Sequence, residues 1–399
     1  MLRSFRLANH KSIHQEQELL FLPVYDHDRP VQPVTAIYGA NASGKSNLLD
    51  GLAFMEEAVR SSYARWEPNS GIPRKPFRLD PAARDEPSHF VVDLELDGVR
   101  YTYGFAVDDH VVREEWLYSY PERKRRVIFE RTGGDIKFGS TVSARRGKAG
   151  ILEELTRPNA LFLSVASQAN FAELLPIYEW FTQMLIPCET AQRIKIANLM
   201  DRIGARSAPR YENIVDLLKF ADVGISDVAI IDVEKPTGPT KELRFIHSAC
   251  DDLFELGDES AGTQTWLAMA TMALLVMGIG GTLVVDEIDS SLHPRLTARL
   301  MALFQDKTTN PNQAQLVCTT HDTTLLSPIL GEQVLNRDQV WFTEKNQAGE
   351  TNLYPLSDFR PRKGEKIERR YLGGSYGAVP RIVPEDLMAA MRGRPHGAA

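Results

Sequence analysis

A phosphate-binding loop is predicted between residues 39 and 46. The run GANASGKS fits the pattern GxxxxGK[ST], in which the glycines let backbone amides turn toward a phosphate. Lys45 would reach the β- and γ-phosphates of a nucleotide, and Ser46 would be a ligand of Mg²⁺. The loop and the residue after it supply the candidate nucleotide contacts Gly39, Asn41, Ser43, Gly44, Lys45, Ser46 and Asn47.

Two carboxylates follow another apolar run much later in the chain. Leu283-Val284-Val285 leads directly into Asp286 and Glu287, which places both acids at the carboxyl end of a predicted buried strand. Asp286 would hold Mg²⁺, directly or through water, and Glu287 would position and deprotonate the water that attacks the γ-phosphate. The pattern indicates a Walker B motif with a catalytic acid; a plain acidic turn is the alternative.

Two weaker motifs lie on either side of these acids. Ser260 precedes a helix rich in Ala, Met and Leu, and would cap it and leave an anion site, although an ordinary helix cap has the same sequence. His321 follows the strand-like residues 315–320, where an imidazole could sense a γ-phosphate, although a histidine at a strand end is more often structural. The order of all four motifs is the one expected of a P-loop ATPase, so each supports the others.

The elements around the loop follow from periodicity. Residues 34–38 form a short β-branched run typical of a buried parallel strand, and residues 47–59 repeat apolar side chains at helical spacing. Strand, loop and helix therefore come in the order that a phosphate-binding loop requires.

Other stretches predict a β-hairpin and a helical region. Residues 90–96 and 101–107 alternate apolar and polar side chains around Asp97-Gly98, and Gly133-Gly134 marks another hairpin. Helical patterns dominate residues 158–233, so we expect a helical lobe inserted between two β-containing halves.

One apolar stretch has the length of a transmembrane helix. Residues 266–285 carry almost no charge, but Gly278, Gly280 and Gly281 interrupt them before the β-rich run that ends at Asp286. A buried helix, a turn and a central strand explain the stretch better than a membrane span.

Composition indicates the cellular compartment, but it does not identify a binding partner. The net charge of −7 gives no overall basic field, so nucleic acid would need a local basic patch. The three cysteines Cys188, Cys250 and Cys318 are far apart, which argues against disulfides and structural zinc. The first residues lack the apolar run of a signal peptide. We therefore expect a cytoplasmic protein with no membrane partner.

These motifs resemble the ABC-type ATPase superfamily, in particular its SMC and RecF-like branch. GANASGKSNLL is similar to the P-loop of that branch, and NHKSI resembles its first-strand motif. On this resemblance, Ser260 and Gly262 match the signature motif, which acts on ATP held by the other subunit. Residues 290–293 match the D-loop, His321 matches the switch histidine, and Gln168 is the best match to the Q-loop glutamine.

The resemblance implies an α/β fold. We expect a P-loop ABC-type ATPase head, with a mixed central sheet and an antiparallel β subdomain, interrupted by a helical lobe. The expected divisions are residues 1–157 for the N-terminal half of the head, 158–245 for the helical insertion, 246–345 for the C-terminal half, and 346–399 for a tail.

Within the superfamily, the chain resembles the compact bacterial AAA-family ATPases of the abortive-infection and RloA type. It lacks the long heptad arms of SMC proteins, and the 78 residues after His321 are too few for the nuclease domain of OLD-type enzymes. The resemblance implies ATP and Mg²⁺ as cofactors, a homodimer or higher homo-oligomer, and a separate effector, commonly a TOPRIM-type nuclease, in anti-phage defence.

The alternative is a RecF-like DNA-binding or repair ATPase. It would use basic clusters such as Arg123-Lys124-Arg125-Arg126, Arg145-Arg146 or residues 360–366, although such runs are more often solvated faces. The ATP-binding half of a transporter fits less well, because those subunits lack the NHKSI strand and the helical insertion.

Overall fold

The computed structural model describes the chain in several stretches. They are residues 1–26, 28–140, 142, 146–188, 216–220, 224–235, 238–250, 252–328, 332–362 and 364–380. The strands are β1 (Leu2–Ala8), β2 (Gln17–Leu20), β3 (Val34–Gly39), β4 (Ser88–Leu96), β5 (Val99–Val107), β6 (Val112–Tyr120), β7 (Arg126–Thr132), β8 (Asp135–Phe138), β9 (Leu185–Cys188), β10 (Ile225–Lys235), β11 (Gly238–His247), β12 (Leu253–Glu255), β13 (Thr282–Val285), β14 (Gln315–Thr319), β15 (Val340–Lys345) and β16 (Thr351–Pro355). The main helices are α1 (Lys45–Ser61), α2 (Pro81–Asp85), α3 (Arg146–Leu155), α4 (Phe162–Gln168), α5 (Leu175–Glu179), α6 (Ala261–Ile279), α7 (Pro294–Gln305) and α8 (Ile367–Leu372).

A six-stranded sheet organises the ATPase motifs. Its order is β16-β15-β3-β14-β13-β9, with β16 antiparallel to β15 and the other five strands parallel. Because parallel strands end at the same edge, the loops after β3, β13 and β14 leave the sheet side by side. The phosphate-binding loop, the two acids and His321 follow those three strands.

Side chains alternate across this sheet between two hydrophobic cores. Val284 and Val317 face a core that includes apolar residues of α1. Leu283, Val285 and Cys318 face the other core, which α6 and α7 cover. Burial on both faces accounts for the near-continuous apolar runs that predicted these strands.

A seven-stranded antiparallel sheet packs one face onto the first core, in the order β2-β1-β4-β5-β6-β7-β8. The hairpin predicted around Asp97-Gly98 is confirmed, because β4 and β5 pair throughout and the two turn residues have φ of 48° and 76°. Two positive φ values match the right-handed twist of the paired strands. The hairpin at Gly133-Gly134 is confirmed by β7 and β8.

The helical pattern expected over residues 158–233 is only partly present. Leu161 is the N-cap of α4, and residues 162–165 begin the helix, although a short apolar run of this kind fits a buried strand as well as a buried helix. β9 joins the central sheet, and β10, β11 and β12 form a separate three-stranded sheet. Residues 189–215, which the helical prediction also covered, lie outside the described residues.

The segment after residue 345 contributes to the head. β16 extends the central sheet, and Tyr371 and Tyr376 stack on Phe342 of β15 at centroid distances of 5.3 and 5.8 Å. Residues 346–362 and 364–380 therefore contribute side chains to the core of the head. Residues 381–399 lie outside the described residues.

The apolar stretch predicted as helix, turn and strand has that structure. α6 ends where Gly280 adopts φ of 68°, and β13 begins two residues later. α6 has the length and hydropathy of a membrane span, but 72% of its most apolar window is buried inside the protein. Burial on this scale is typical of a core helix.

Candidate nucleotide-binding site

The loop from Gly39 to Ser46 is held tightly between β3 and α1. Gly44 has φ of 108°, and a Cβ there would lie 2.1 Å from Thr351 Oγ1. A Cβ on Gly39 would lie 2.5 Å from Thr343 O. Both glycines of the pattern are therefore required, one by its backbone conformation and both by close approach.

A network of hydroxyl groups supports the outer side of this loop. Ser43 Oγ lies 2.7 Å from Thr343 Oγ1, and Thr351 Oγ1 donates to the Ser43 carbonyl at 2.8 Å. Ser12 Oγ lies 2.7 Å from Thr351 Oγ1 and accepts from Asn47 Nδ2 at 2.6 Å. Asn47, predicted as a nucleotide contact, thus has a structural partner in this structure. Sequence reasoning missed Thr343 and Thr351, and only the NHKSI motif pointed to Ser12.

The ammonium group of Lys45 is bonded to the loop itself. Its Nζ donates to the carbonyls of Gly39 and Ala40 at 2.9 and 3.2 Å. Burial lowers the pKa of Lys45, and the nearby carboxylates Asp286 and Glu287 oppose that shift. Ser46 and Asn41 are exposed at the mouth of the loop.

The two acids after β13 are fixed by a threonine on the neighbouring strand. Thr319 Oγ1 donates to Asp286 Oδ1 at 2.6 Å and accepts from the backbone amide of Glu287 at 2.7 Å. Glu287 has φ of 52°, which is uncommon for a residue with a side chain. Sequence reasoning missed Thr319, because nothing in a strand pattern marks a hydroxyl that bridges two chain segments.

His321 and Glu287 line one open cleft. The cleft is bounded by Asn41, Glu287, Asp289, Ser290 and His321. The backbone amide of His321 lies 3.3 Å from Asp289 Oδ2. Burial and the charge of Lys45 lower the pKa of the His321 imidazole, while the nearby carboxylates oppose the shift. The motifs of three separate strands therefore meet at one position.

The signature residues lie beside this cleft without lining it. Ser260 caps α6 by accepting a hydrogen bond from the Thr263 amide at 3.1 Å. A Cβ on Gly262 would lie 3.2 Å from the Ser291 carbonyl, so the start of α6 touches the D-loop residue next to Ser290. Ser260 is exposed, which leaves its capped helix end open to another molecule.

Gln168 is not brought to the cleft. It lies at the carboxyl end of α4, is exposed, and donates to the Tyr178 hydroxyl at 3.3 Å. It does not line the cleft described above. Its assignment as the Q-loop glutamine stays a prediction.

The residues at this edge fit a bound Mg²⁺ that is shared with a nucleotide. Within the described part of the chain no three His, Cys, Asp or Glu side chains cluster as a complete metal site. Mg²⁺ in nucleotide sites usually takes one or two protein ligands together with phosphates and water. Asp286, whose Oδ1 is oriented by Thr319, and the exposed Ser46 supply such a pair of donors.

Comparison with known proteins agrees with this geometry. A family model described as "AAA domain, putative AbiEii toxin, Type IV TA system" matches residues 34–327. The match includes the P-loop, both acids and His321, and spans most of the chain. The chain belongs to this family. The predicted α/β fold of a P-loop ATPase is thereby confirmed, with a mixed central sheet that carries the motifs and a separate antiparallel sheet.

Two solved structures are similar to the chain at low identity. The chain is 15% identical to an SMC head solved bound to the C-winged helix domain of ScpA, covering 90% of this chain and 99% of that one, with a TM-score of 0.49. It is 14% identical to the SMC head domain from Thermotoga maritima, covering 89% and 98%, with a TM-score of 0.43. No curated protein matches the chain.

Proposed function

We propose that this AAA-domain protein hydrolyses ATP at composite sites formed between two copies of the chain. The observation that carries this proposal is the separation of two half-sites. Asn41, Glu287 and His321 line one cleft, whereas the exposed Ser260 caps α6 outside it. Gly262, at the start of the same helix, lies against the carbonyl of Ser291, next to the cleft residue Ser290. In a two-fold dimer the cap of each chain would face the cleft of the other, so the dimer would hold two complete sites.

The roles of the residues follow from their positions. Lys45 and the loop amides would hold the β- and γ-phosphates, and Ser46 and Asp286 would hold Mg²⁺, which neutralises phosphate charge when bound. Glu287 would orient and deprotonate the attacking water, and His321 would contact the γ-phosphate. Ser260 of the second chain would supply amides and a hydroxyl to the same phosphate.

Glu287→Gln tests the catalytic assignment. We expect it to bind ATP, to lose at least about 100-fold in hydrolysis rate, and to accumulate as an ATP-dependent dimer. Hydrolysis would be measured by phosphate release, and mass by light scattering with and without Mg²⁺-ATP. If the variant hydrolyses ATP like the wild type, Glu287 is not the base.

Complementation tests the composite site more directly. Lys45→Met and Ser260→Arg should each be inactive alone, because each damages a different half of every site. Mixed dimers regain one site built from two intact halves. At equal mixing about half the dimers are mixed, so we expect up to about a quarter of wild-type activity. No recovery would contradict shared sites.

We further propose that the ATPase regulates a separate effector in bacterial anti-phage defence. The family description names a toxin–antitoxin system, and the sequence resembles abortive-infection ATPases that operate with a partner, commonly a TOPRIM-type nuclease. The cysteines Cys188, Cys250 and Cys318 form no disulfide bond, which suits a reducing cytoplasm. Expression of the chain with its neighbouring reading frames should reduce phage plaques, and Lys45→Met should abolish that protection. Equal plaque counts with both would reject this role.

A RecF-like DNA-binding function is the second candidate. The favouring observation is that Arg123, Lys124, Arg125 and Arg126 are all exposed between β6 and β7. Duplex DNA that binds tightly, with affinity falling steeply with salt, would favour this candidate.

A further inference from the structure

A second candidate site lies on the outer face of the seven-stranded sheet, away from the nucleotide cleft. Strand pairing places Gly104 opposite both Val91 and Trp116, and Thr102 opposite both Asp93 and Tyr118. The opposite face carries the buried residues of the core, such as Phe90, Phe105 and Leu117. The outer face bounds a shallow cleft of its own, lined by Arg6, Glu16, His89, Val91, Asp93, Arg100, Thr102, Trp116, Tyr118 and Tyr120.

Three aromatic side chains form a row along this cleft. Trp116, Tyr118 and Tyr120 alternate with inward residues of β6, and each is partly exposed. The indole of Trp116 lies across β5, since a Cβ on Gly104 would be 2.4 Å from Trp116 Cζ2. Because one face of the Trp116 ring covers Gly104, its other face points away from the sheet. Among the described residues, no ring or cation is stacked on Trp116.

Arginine side chains accompany the two tyrosines. The guanidinium carbon of Arg125 lies 3.9 Å from the centre of the Tyr118 ring, and that of Arg100 lies 5.0 Å from the centre of the Tyr120 ring. These contacts hold two cations against the face. At the other end, Arg6 lies 3.8 Å from each of two carboxylates, those of Asp93 and Glu18.

The local charge is positive although the whole chain is acidic. Arg100 and the exposed run 123–126 bring five basic residues to the tyrosine end, where Arg125 also pairs with Glu130 at 3.1 Å. The acids Glu122 and Glu16 offset part of this charge. Nearby carboxylates are already engaged: Asp93 accepts from Ser4 at 3.1 Å, and Glu95 pairs with Arg3 at 2.7 Å. Basic residues interleaved with aromatic rings on an open sheet are the features that bind nucleic acid strands.

The spacing of the rings distinguishes a single strand from a duplex. Alternate residues of a strand are about 6.8 Å apart, which is about twice the 3.4 Å rise between stacked bases. Bases that are splayed apart can stack on successive rings, whereas bases in a duplex cannot. We propose that this face binds single-stranded nucleic acid, with a base stacked on Trp116 and the phosphates held by Arg100 and Arg125.

The test is binding of a fluorescent oligothymidylate of about 16 nucleotides, measured by anisotropy without ATP at several salt concentrations. Trp116→Leu keeps an apolar side chain over Gly104 but removes the flat ring. We expect it to weaken binding at least about fivefold, which is the lower end for one stacked base. Arg100→Gln with Arg125→Gln should reduce the slope of log affinity against log salt by about 1.4.

The control is another ring paired with an arginine. Tyr25 lies 4.3 Å from the Arg337 guanidinium on a different part of the protein, so Tyr25→Leu should bind as the wild type. Circular dichroism and nucleotide binding verify that each variant is folded. The proposal fails if the wild type does not bind at low salt, if Trp116→Leu binds equally well, or if duplex DNA binds as tightly as the single strand. Because no ATP is present, a failure of the ATPase proposal would leave this result unaffected.

Discussion

Removing the hydroxyl group of Thr319 should disable the active site while leaving the P-loop intact. Thr319 is fully buried, and its hydroxyl makes two short hydrogen bonds, one to Asp286 Oδ1 and one from the Glu287 amide. Thr319→Val preserves the shape of the side chain and removes both bonds. The Glu287 amide is left unpaired, and the turn that holds Glu287 at positive φ loses a restraint.

The expected effects on stability, Mg²⁺ requirement and kcat follow from the loss of these two hydrogen bonds. A buried donor without a partner costs about 1–3 kcal/mol, so we expect a modest fall in the free energy of unfolding. A group that orients a metal ligand typically contributes about 10- to 100-fold to metal affinity, so the Mg²⁺ concentration for half-maximal rate should rise by at least about tenfold. A base displaced by about 1 Å can cost about 100-fold in rate, so kcat at saturating Mg²⁺ should also fall.

The assay is steady-state hydrolysis across a Mg²⁺ titration, together with nucleotide binding in the absence of Mg²⁺, which should change little. Thr319→Ser retains the hydroxyl group, so its Mg²⁺ requirement and its kcat should both stay close to the wild-type values. Thr320→Val is the matched control, because that neighbouring buried hydroxyl accepts only from the Asp322 amide among the described residues. The reasoning is refuted if Thr319→Val is normal, or if Thr320→Val is equally impaired.

Two further predictions concern stability. Burial alone would raise the pKa of Asp50, but hydrogen bonds from His10 and Lys11 lower it to about 2. The stabilisation by Asp50 is therefore complete above the usual carboxyl pKa and is lost as the pH falls toward 2. In urea unfolding at pH 7, we expect Asp50→Asn to be about 1–2 kcal/mol less stable than the wild type. This difference should shrink below about pH 4. Glu115 is fully buried beside Arg131 and accepts from the first amides of α4, so Glu115→Gln should cost about 3–5 kcal/mol in the same assay. Glu130→Gln, which breaks the exposed pair with Arg125, should cost less than about 1 kcal/mol; equal losses would contradict the role of burial.

Motifs that act through adjacent residues were predictable from the sequence. The order of strand, glycine loop and Lys45 determines the loop conformation locally, and Asp286 and Glu287 directly follow a buried strand. Hairpins with their own turn residues were predictable for the same reason. In each case the signal lies within a few residues of the structure that it describes.

Features that depend on distant contacts were not predictable. The apolar run 161–165 forms a helix because the Glu115 carboxylate, 47 and 48 residues earlier, accepts from the amides of Phe162 and Leu163. The run by itself fits a strand equally well. Similarly, Gly104 has no turn to explain it, and its role is visible only when the Trp116 ring is seen across it.

The support of the P-loop connects nucleotide binding to the far end of the chain. Thr351 bonds to the Ser43 carbonyl and to Ser12, which lies 339 residues earlier, and its side chain fills the space beside Gly44. The strand β16 that carries Thr351 also bears Tyr354, whose hydroxyl donates to the Tyr376 carbonyl at 3.0 Å. A displacement of the segment around Tyr376 would therefore be transmitted through one short strand to the loop that holds the phosphates.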